Sequence, residues 1–226
     1  GMDMDDALVF NGEIDFNGKS ITRDNKNLDN NISGELFCKI GSKGVLKNLV
    51  LNIKLNNIIE NQRFKALTYI NEGTIQNLRI NLIESSNLPN VNFSMIGEFN
   101  YGTIENFILH SQTPVYGIRA LTLGVCYNNG IMRNGYAYGQ NIKAIHPLAE
   151  NQYRDSGIFA VSNNKDGIIQ NVFSVVSIEL KGNQTLQDSN IGNIVFNNTE
   201  RASILNVYTV GTGSMSGEYQ GPNSAS

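Results

Sequence analysis

The stretch Asn71-Glu-Gly-Thr-Ile-Gln-Asn77 indicates the fold, because close variants of it recur along the chain. It returns as Asn100-Tyr-Gly-Thr-Ile-Glu-Asn106, 29 residues further on. The shared core is Gly, any residue, an aliphatic residue, any residue and Asn, followed by an apolar residue. Copies of this core end at Asn48, Asn77, Asn106, Asn134, Asn171 and Asn206, the last with Ala202 in place of Gly. Their spacings of 29, 29, 28, 37 and 35 residues predict a repeat architecture.

The alternation of apolar residues shifts by one position at each Asn. Ile75 shares the parity of Asn77, whereas Leu78 and Ile80 have the opposite parity. Successive side chains of a strand point to opposite faces, so a shift of one residue reverses the faces. Both segments can point inward only if the chain turns at the Asn. Each Asn is therefore predicted to lie at a bend between two strands.

A third apolar segment precedes each Gly and stops just before an Asn. The candidate strands are Ala66–Ile70, Met95–Phe99, Leu123–Tyr127, Ile158–Ser162 and Ile191–Phe196. Three short strands and three bends in 28 or 29 residues describe one coil of a parallel β-helix. We predict an all-β, right-handed parallel β-helix (solenoid) of six or seven coils of three short strands, stacked at ~4.8 Å.

The repeated Asn residues are candidates for a structural ladder. An Asn buried at the same bend of successive coils can donate its amide to the neighbouring coil and so satisfy a costly polar group. We expect Asn48, Asn77, Asn106, Asn134, Asn171 and Asn206 to form such a ladder. The alternative is that they are ordinary turn residues.

The chain is predicted to be a single β-helix domain, residues 1–226, with repeat coils over 8–211 and a tail or linker over 212–226. Turn signals at Asn11-Gly12 and Asn17-Gly18 divide its opening. The two long spacings place insertions at residues 140–155 and 181–190, and insertions in repeat proteins emerge as loops, often on the binding flank. Gly1-Met2 is typical of a cloning remnant, so the piece is expected to come from a longer protein.

The composition excludes several partners. A net charge of −3 and a pI near 5.4 give no electrostatic footprint for nucleic acid or an anionic membrane. No run approaches the ~18 apolar residues of a membrane span. Cys38 and Cys126 are expected to be free, mostly buried thiols rather than a bridge.

Three segments together carry a resemblance to a known family. Glu13-Ile-Asp-Phe-Asn-Gly18, Leu36-Phe-Cys-Lys-Ile-Gly41 and the Gly-x-Ile-x-Asn-Leu core resemble the GLUG-type repeats of bacterial surface proteins, over roughly residues 8–211. They look most like the repeat region upstream of the catalytic domain in immunoglobulin A1 protease-type zinc metallopeptidases. The resemblance implies a secreted or surface-anchored bacterial protein. The family's His-Glu-x-x-His motif is absent, so it also implies a non-catalytic part, with neighbouring domains as partners.

Residue patterns for catalysis are weak. Two His and two Cys on different coils do not suggest the three or four convergent ligands of a zinc site. We therefore expect no catalytic, cofactor or metal site. The residues just before each ladder Asn, among them Lys47, Glu105 and Arg133, form a mixed solvated row whose opposite signs can pair across coils. The competing hypothesis is a carbohydrate-active β-helix enzyme, or a polysaccharide-binding module.

The predicted binding flank joins a tyrosine segment to the first insertion. Tyrosines at a surface can stack on a sugar ring or a peptide, so a host protein or glycan is the expected ligand. The alternative is that the two tyrosines of Gly135-Tyr-Ala-Tyr-Gly139 only cover the coil beneath the insertion. The candidate residues are Tyr136, Tyr138, Lys143, His146, Tyr153 and Arg154.

Overall fold

A computed structural model describes residues 8–24, 35–55, 63–85, 92–117, 121–145, 154–181, 189–199, 201–211 and 213–216. All regular structure in these ranges is β-strand, every strand pair is parallel, and the sheets wind into a β-solenoid. The predicted all-β parallel β-helix is confirmed at this level. Among the described residues there is also no helix able to cross a membrane.

The described strands form four sheets, here named A to D. Sheet A contains Val9–Phe10, Phe37–Ile40, Thr68–Asn71, Gly97–Asn100, Val125–Asn128, Ala160–Asn163 and Val195–Asn198. Sheet B contains Glu13–Asp15, Ser20–Asp24, Val45–Lys47, Val50–Leu55, Thr74–Ser85, Thr103–Ser111, Ile131–Gly139, Ile168–Ser174 and Ser203–Thr209. Sheet C contains Arg63–Lys65, Asn92–Ser94, Leu121–Thr122, Arg154–Gly157 and Ser189–Gly192, and sheet D contains Val115–Gly117, Ile142–Ile145, Ile178–Lys181 and Gly213–Ser216.

The sequence repeat sets the register of the stack. Ile104 pairs with Ile75 on one side and with Met132 on the other, and Met132 pairs with Ile169. These four side chains are at most 1% exposed and form a column in the core. Equivalent positions of the repeat therefore lie directly above one another, so a feature that recurs in the sequence becomes a column in the fold.

Each ladder Asn adopts the left-handed conformation, which produces the predicted change of faces. The φ angles of Asn48, Asn77, Asn106, Asn134, Asn171 and Asn206 lie between 51° and 59°. Asn tolerates this region better than most residues with a β-carbon. Ile75 before Asn77 and Leu78 after it are both buried, at 1% and 2% exposure. The predicted bend at the Asn is confirmed.

The Gly of the repeat is required by the close approach of neighbouring coils. A Cβ on Gly73 would overlap the carbonyl oxygen of Gly44, and one on Gly102 would overlap that of Gly73. The backbone amides form hydrogen bonds across the same corner, with Thr103 N donating to Gly73 O at 2.9 Å. The motif therefore combines a crowded corner at Gly with a left-handed corner at Asn.

The prediction of three strands per coil is wrong, because the chain also turns between sheets C and A. Residues 92–117 pass in order through sheets C, A, B and D. Each predicted strand before the Gly spans a corner; Met95 and Ile96, for example, separate Asn92–Ser94 from Gly97–Asn100. Both corner residues are buried, so no break in the apolar pattern marks this turn.

Segments that were predicted to be irregular contribute strands. The first insertion supplies Ile142–Ile145 and Arg154–Gly157, and the second begins and ends in strands of sheets D and C. Gly213–Ser216, predicted to belong to a tail, pairs with Ile178–Lys181. Cys38 and Cys126 are both free, but Cys38 is exposed, so the expected burial holds only for Cys126.

Candidate binding surface

The repeated Asn residues form a hydrogen-bonded ladder along the outside of sheet B. Asn77 Nδ2 donates to Asn48 Oδ1 at 2.8 Å, and the next four pairs continue with donor–acceptor distances of 3.1 to 3.2 Å. Asn48 Nδ2 in turn donates to Asp15 Oδ1 at 2.8 Å, the main cause of the lowered pKa of Asp15. The ladder was predicted to be buried, but Asn48 is only half-buried and the later members are exposed.

A second Asn ladder, which the sequence analysis did not predict, lies inside the corner between sheets A and B. Its members are Asn71, Asn100, Asn128, Asn163 and Asn198, each donating its amide to the next at 2.7 to 2.8 Å. The first four are at most 1% exposed. These residues end the strands of sheet A just before the Gly corner. That recurrence was visible in the sequence, but it did not show which Asn column faces inward.

The two predicted tyrosines belong to an aromatic column on the outer face of sheet B. Tyr136 stacks on Phe173 with ring centroids 5.3 Å apart, and Phe173 stacks on Tyr208 at 5.4 Å. Tyr138 stacks beside Tyr136 at 5.0 Å and on the His110 ring at 4.1 Å. The interplanar angles are between 8° and 15°. The ring faces are therefore directed at one another along the solenoid axis.

Arg79 extends this column at the His110 end. Its Nη2 donates to the Tyr138 hydroxyl at 3.0 Å, and its Nε donates to Asn81 Oδ1 at 3.0 Å. Burial, and then the Arg79 charge, lower the pKa of His110. A neutral imidazole is favoured there because a stacked, partly desolvated ring beside a guanidinium resists a second positive charge. This is a structural environment for His110.

The other predicted flank residues are not brought together with the tyrosines. The backbone of Lys143 lies in sheet D and that of Arg154 in sheet C, whereas Tyr136 and Tyr138 lie in sheet B. His146 and Tyr153 fall outside the described residues. Because the faces of Tyr136 and Tyr138 contact neighbouring rings, these tyrosines favour the covering role over stacking on a ligand.

Charged residues of the outer row pair across coils as predicted. Arg133 Nε donates to Glu105 Oε2 at 2.7 Å, and Gln76 Nε2 donates to Glu105 Oε1 at 2.6 Å. The Arg133 hydrogen bond is the largest cause of the lowered pKa of Glu105. Lys47 forms an ion pair with Glu13 in the same way. These carboxylates are held in the ionised form by cationic or amide neighbours.

An ion pair lies in the interior, where the sequence analysis expected only apolar residues. Lys65 Nζ and Glu98 Oε2 are 3.0 Å apart, and both side chains are 1% exposed. Lys65 also lies over the Tyr69 ring, 5.1 Å from its centroid. Burial and the neighbouring Glu98 carboxylate raise the pKa of the Cys126 thiol. A protonated, enclosed thiol is a poor nucleophile.

A shallow open groove of about 490 Å³ lies at the corner between sheets A and B, near the C-terminal end of the stack. We call it the corner groove; its lining residues are Asn129, Asn164, Lys165, Thr199 and Arg201. Lys165 N donates to Thr199 Oγ1 at 2.9 Å. Arg201 approaches the Asp166 carboxylate at 3.5 Å, with both side chains more than 70% exposed. The groove is polar, and two of its lining residues carry positive charge.

Neither a metal cluster nor a relative identifies this protein. Within the ranges that the structure describes, no three His, Cys, Asp or Glu side chains are grouped so that they could hold a metal ion. No protein-family model, no curated protein and no solved structure matches the chain.

Proposed function

We propose that this chain is a non-catalytic β-solenoid module, serving as a spacer, adhesion or substrate-presenting region of a secreted or surface-anchored bacterial protein. The observation that carries the proposal is the pair of Asn ladders, one exposed and one buried. Each rung joins side chains 28 to 37 residues apart in the sequence. Axial hydrogen bonds in addition to the sheets suit a stiff support.

The proposal includes a right-handed winding of six or seven coils. The pairing order of sheet A supports the number, because its seven described strands follow one another in chain order. Right-handed winding is supported by the strong preference for right-handed crossovers between parallel strands, in ~98% of cases. A crystal structure determines both, and a left-handed path would contradict this part of the proposal.

The bacterial and extracellular placement rests on the GLUG-type resemblance of the repeats. By the same resemblance, the parent protein is proposed to be a zinc metallopeptidase whose catalytic domain lies outside this chain. Its neighbouring domains, and a host protein or glycan, are the proposed partners. Sequencing the open reading frame tests this placement. A downstream His-Glu-x-x-His domain or a wall anchor is expected, and a cytosolic enzyme domain in either direction would contradict it.

The electrostatics of the outer carboxylates favour a module without catalysis over a glycosidase. A general acid of a glycosidase needs a raised pKa. Glu105 and Asp15 instead have lowered pKa values, because Arg133 and Asn48 donate hydrogen bonds to them. Incubation with pectic and glycosaminoglycan substrates tests this directly. Measurable turnover would overturn the non-catalytic proposal.

The spacer role is tested by pulling a single molecule between handles attached at its ends. We expect stepwise unfolding, in which one 29-residue repeat releases about 100 Å of chain. Asn100→Ala, in the buried ladder, should lower the unfolding force. Asn77→Gly, in the exposed ladder, is the matched control and should leave it nearly unchanged. Gradual extension at low force without steps would contradict a stiff support.

A further inference from the structure

The outer face of sheet A changes abruptly from aromatic to small polar residues. One column of paired positions runs through Phe99, Tyr127, Ser162 and Asn197. Phe99 stacks on Tyr127 with centroids 5.1 Å apart and an interplanar angle of 17°. The next position above Tyr127 is occupied by Ser162, which has no ring. Tyr127, 37% exposed, is therefore the last ring of this stack.

The corner groove lies directly beside this last ring. In the coil below, Tyr101 stacks with Phe99 at 6.1 Å, so the position two residues after the outer column stays on the same side of the corner. Asn129 occupies the position of Tyr101 one coil higher, since their amides donate to Asn100 O and Asn71 O respectively. Ser162 Oγ likewise contacts Asn164 Oδ1 at 2.7 Å. Asn129 and Asn164 are therefore next to the Tyr127 ring.

The lining of the groove supplies the remaining features of a sugar site. Side-chain amides of Asn and the hydroxyl of Thr199 can each donate and accept hydrogen bonds, as sugar hydroxyls require. Lys165 adds an exposed ammonium, and its φ of 51° holds it at a fixed corner. Arg201 is shared with Asp166, so Lys165 is the cation best placed for an added anion.

We propose that the corner groove binds an acidic oligosaccharide. One sugar ring stacks on Tyr127, its hydroxyls bond to Asn129 and Asn164, and its carboxylate meets Lys165. An aromatic ring next to a few convergent polar groups is the usual composition of such sites. This goes beyond the proposed function, because a stiff support needs no ligand.

The aromatic column of sheet B is a weaker candidate for the same ligand. There the positions above Tyr136 hold Phe173 and then Tyr208, so successive ring faces contact one another. Only in sheet A does a ring stop beneath small polar residues, within the described part of the two columns. This difference provides a matched control, since Tyr208 is an exposed tyrosine at 62% exposure that lies away from the groove.

Binding is measured by isothermal titration calorimetry with tetragalacturonate, an alginate tetramer and a hyaluronan tetramer, and with cellotetraose as the neutral comparator. Tyrosine fluorescence gives a second readout, because the chain has nine Tyr and no Trp. We expect at least one acidic tetramer to bind more tightly than cellotetraose. Tyr127→Ala should weaken that binding about tenfold, whereas Tyr208→Ala should not change it.

Lys165→Asn tests the charge without straining the corner, because Asn also accepts a positive φ. It should weaken the acidic tetramer about fivefold and leave cellotetraose unchanged. Circular dichroism confirms that each variant keeps its fold. The proposal is overturned if no acidic tetramer binds, if Tyr208→Ala costs as much as Tyr127→Ala, or if polyglutamate binds as tightly as the sugars.

Discussion

Replacing Asn128 by Ala removes the centre of the buried ladder. Asn128 Oδ1 accepts from Asn100 Nδ2 at 2.7 Å, and its Nδ2 donates to Asn163 Oδ1 at 2.8 Å and to Gly130 O at 3.1 Å. All three Asn side chains are 0% exposed. Water therefore cannot replace the lost partners unless the corner opens.

The expected cost follows from the groups left without partners. A buried donor or acceptor without a partner costs about 1–3 kcal/mol. Asn163 Oδ1 loses this donor, whereas the Asn100 amide keeps a long contact to Ile131 O at 3.4 Å. We therefore expect Asn128→Ala to lower the free energy of unfolding by about 3 kcal/mol.

The exposed ladder provides the control. Asn106→Gly removes a donor to Asn77 Oδ1 at 3.2 Å and an acceptor for Asn134 Nδ2 at 3.1 Å, but water can satisfy both partners. Glycine adopts the φ of 55° at this position without strain. Its cost is the flexibility it gives the unfolded chain, about 1 kcal/mol or less.

Urea denaturation followed by far-UV circular dichroism gives both free energies, provided that the slope with urea is unchanged. Hydrogen exchange of the amides near residue 128 shows whether the loss is local. Equal costs for the two variants, or a cost below about 1 kcal/mol for Asn128→Ala, would falsify the assignment of stability to the buried ladder.

Three further changes probe the core and the outer face. Lys65→Met should cost about 3–5 kcal/mol, because it leaves the Glu98 carboxylate buried without its cation, whereas Lys65→Met/Glu98→Leu should recover most of that loss in the same urea assay. Gly135→Ala should cost about 1–3 kcal/mol, because its Cβ would overlap the buried Phe107 ring; thermal unfolding should show rescue by Phe107→Leu, and no loss in the single variant contradicts the close contact. Folding lowers the pKa of His110, so the unfolded chain binds that proton more tightly, and stability should fall as the pH drops below the ordinary value of 6.5. The unfolding midpoint of His110→Phe should depend less on pH over this interval, and an unchanged profile would exclude the coupling.

The corner at each ladder Asn could be predicted because its cause is local. A left-handed residue inside a strand reverses the faces, and the apolar pattern on either side of Asn77 records that reversal. The turn between sheets C and A could not be predicted in the same way. Met95 and Ile96 both point into the core, so the apolar pattern runs through that corner without a visible shift.

The candidate site was less predictable than the fold. Tyr136 and Tyr138 were identified correctly as outer residues, but stacking occupies their faces, and the sequence did not show how the rings are oriented. The corner groove draws Asn129, Asn164 and Thr199 from three successive coils. None of these residues belongs to a motif, and only the register brings them together.

The sequence by itself determined the repeat, the parallel stacking and the left-handed corners, because each depends on the identity of residues at a fixed period. The tertiary structure alone decided which Asn column faces inward. Both Asn71 and Asn77 recur in every full repeat, yet closure of the sheets into a tube places Asn71 inside the corner and Asn77 on the outer surface. A residue's period specifies its column, whereas burial of that column depends on how all the sheets close around the core.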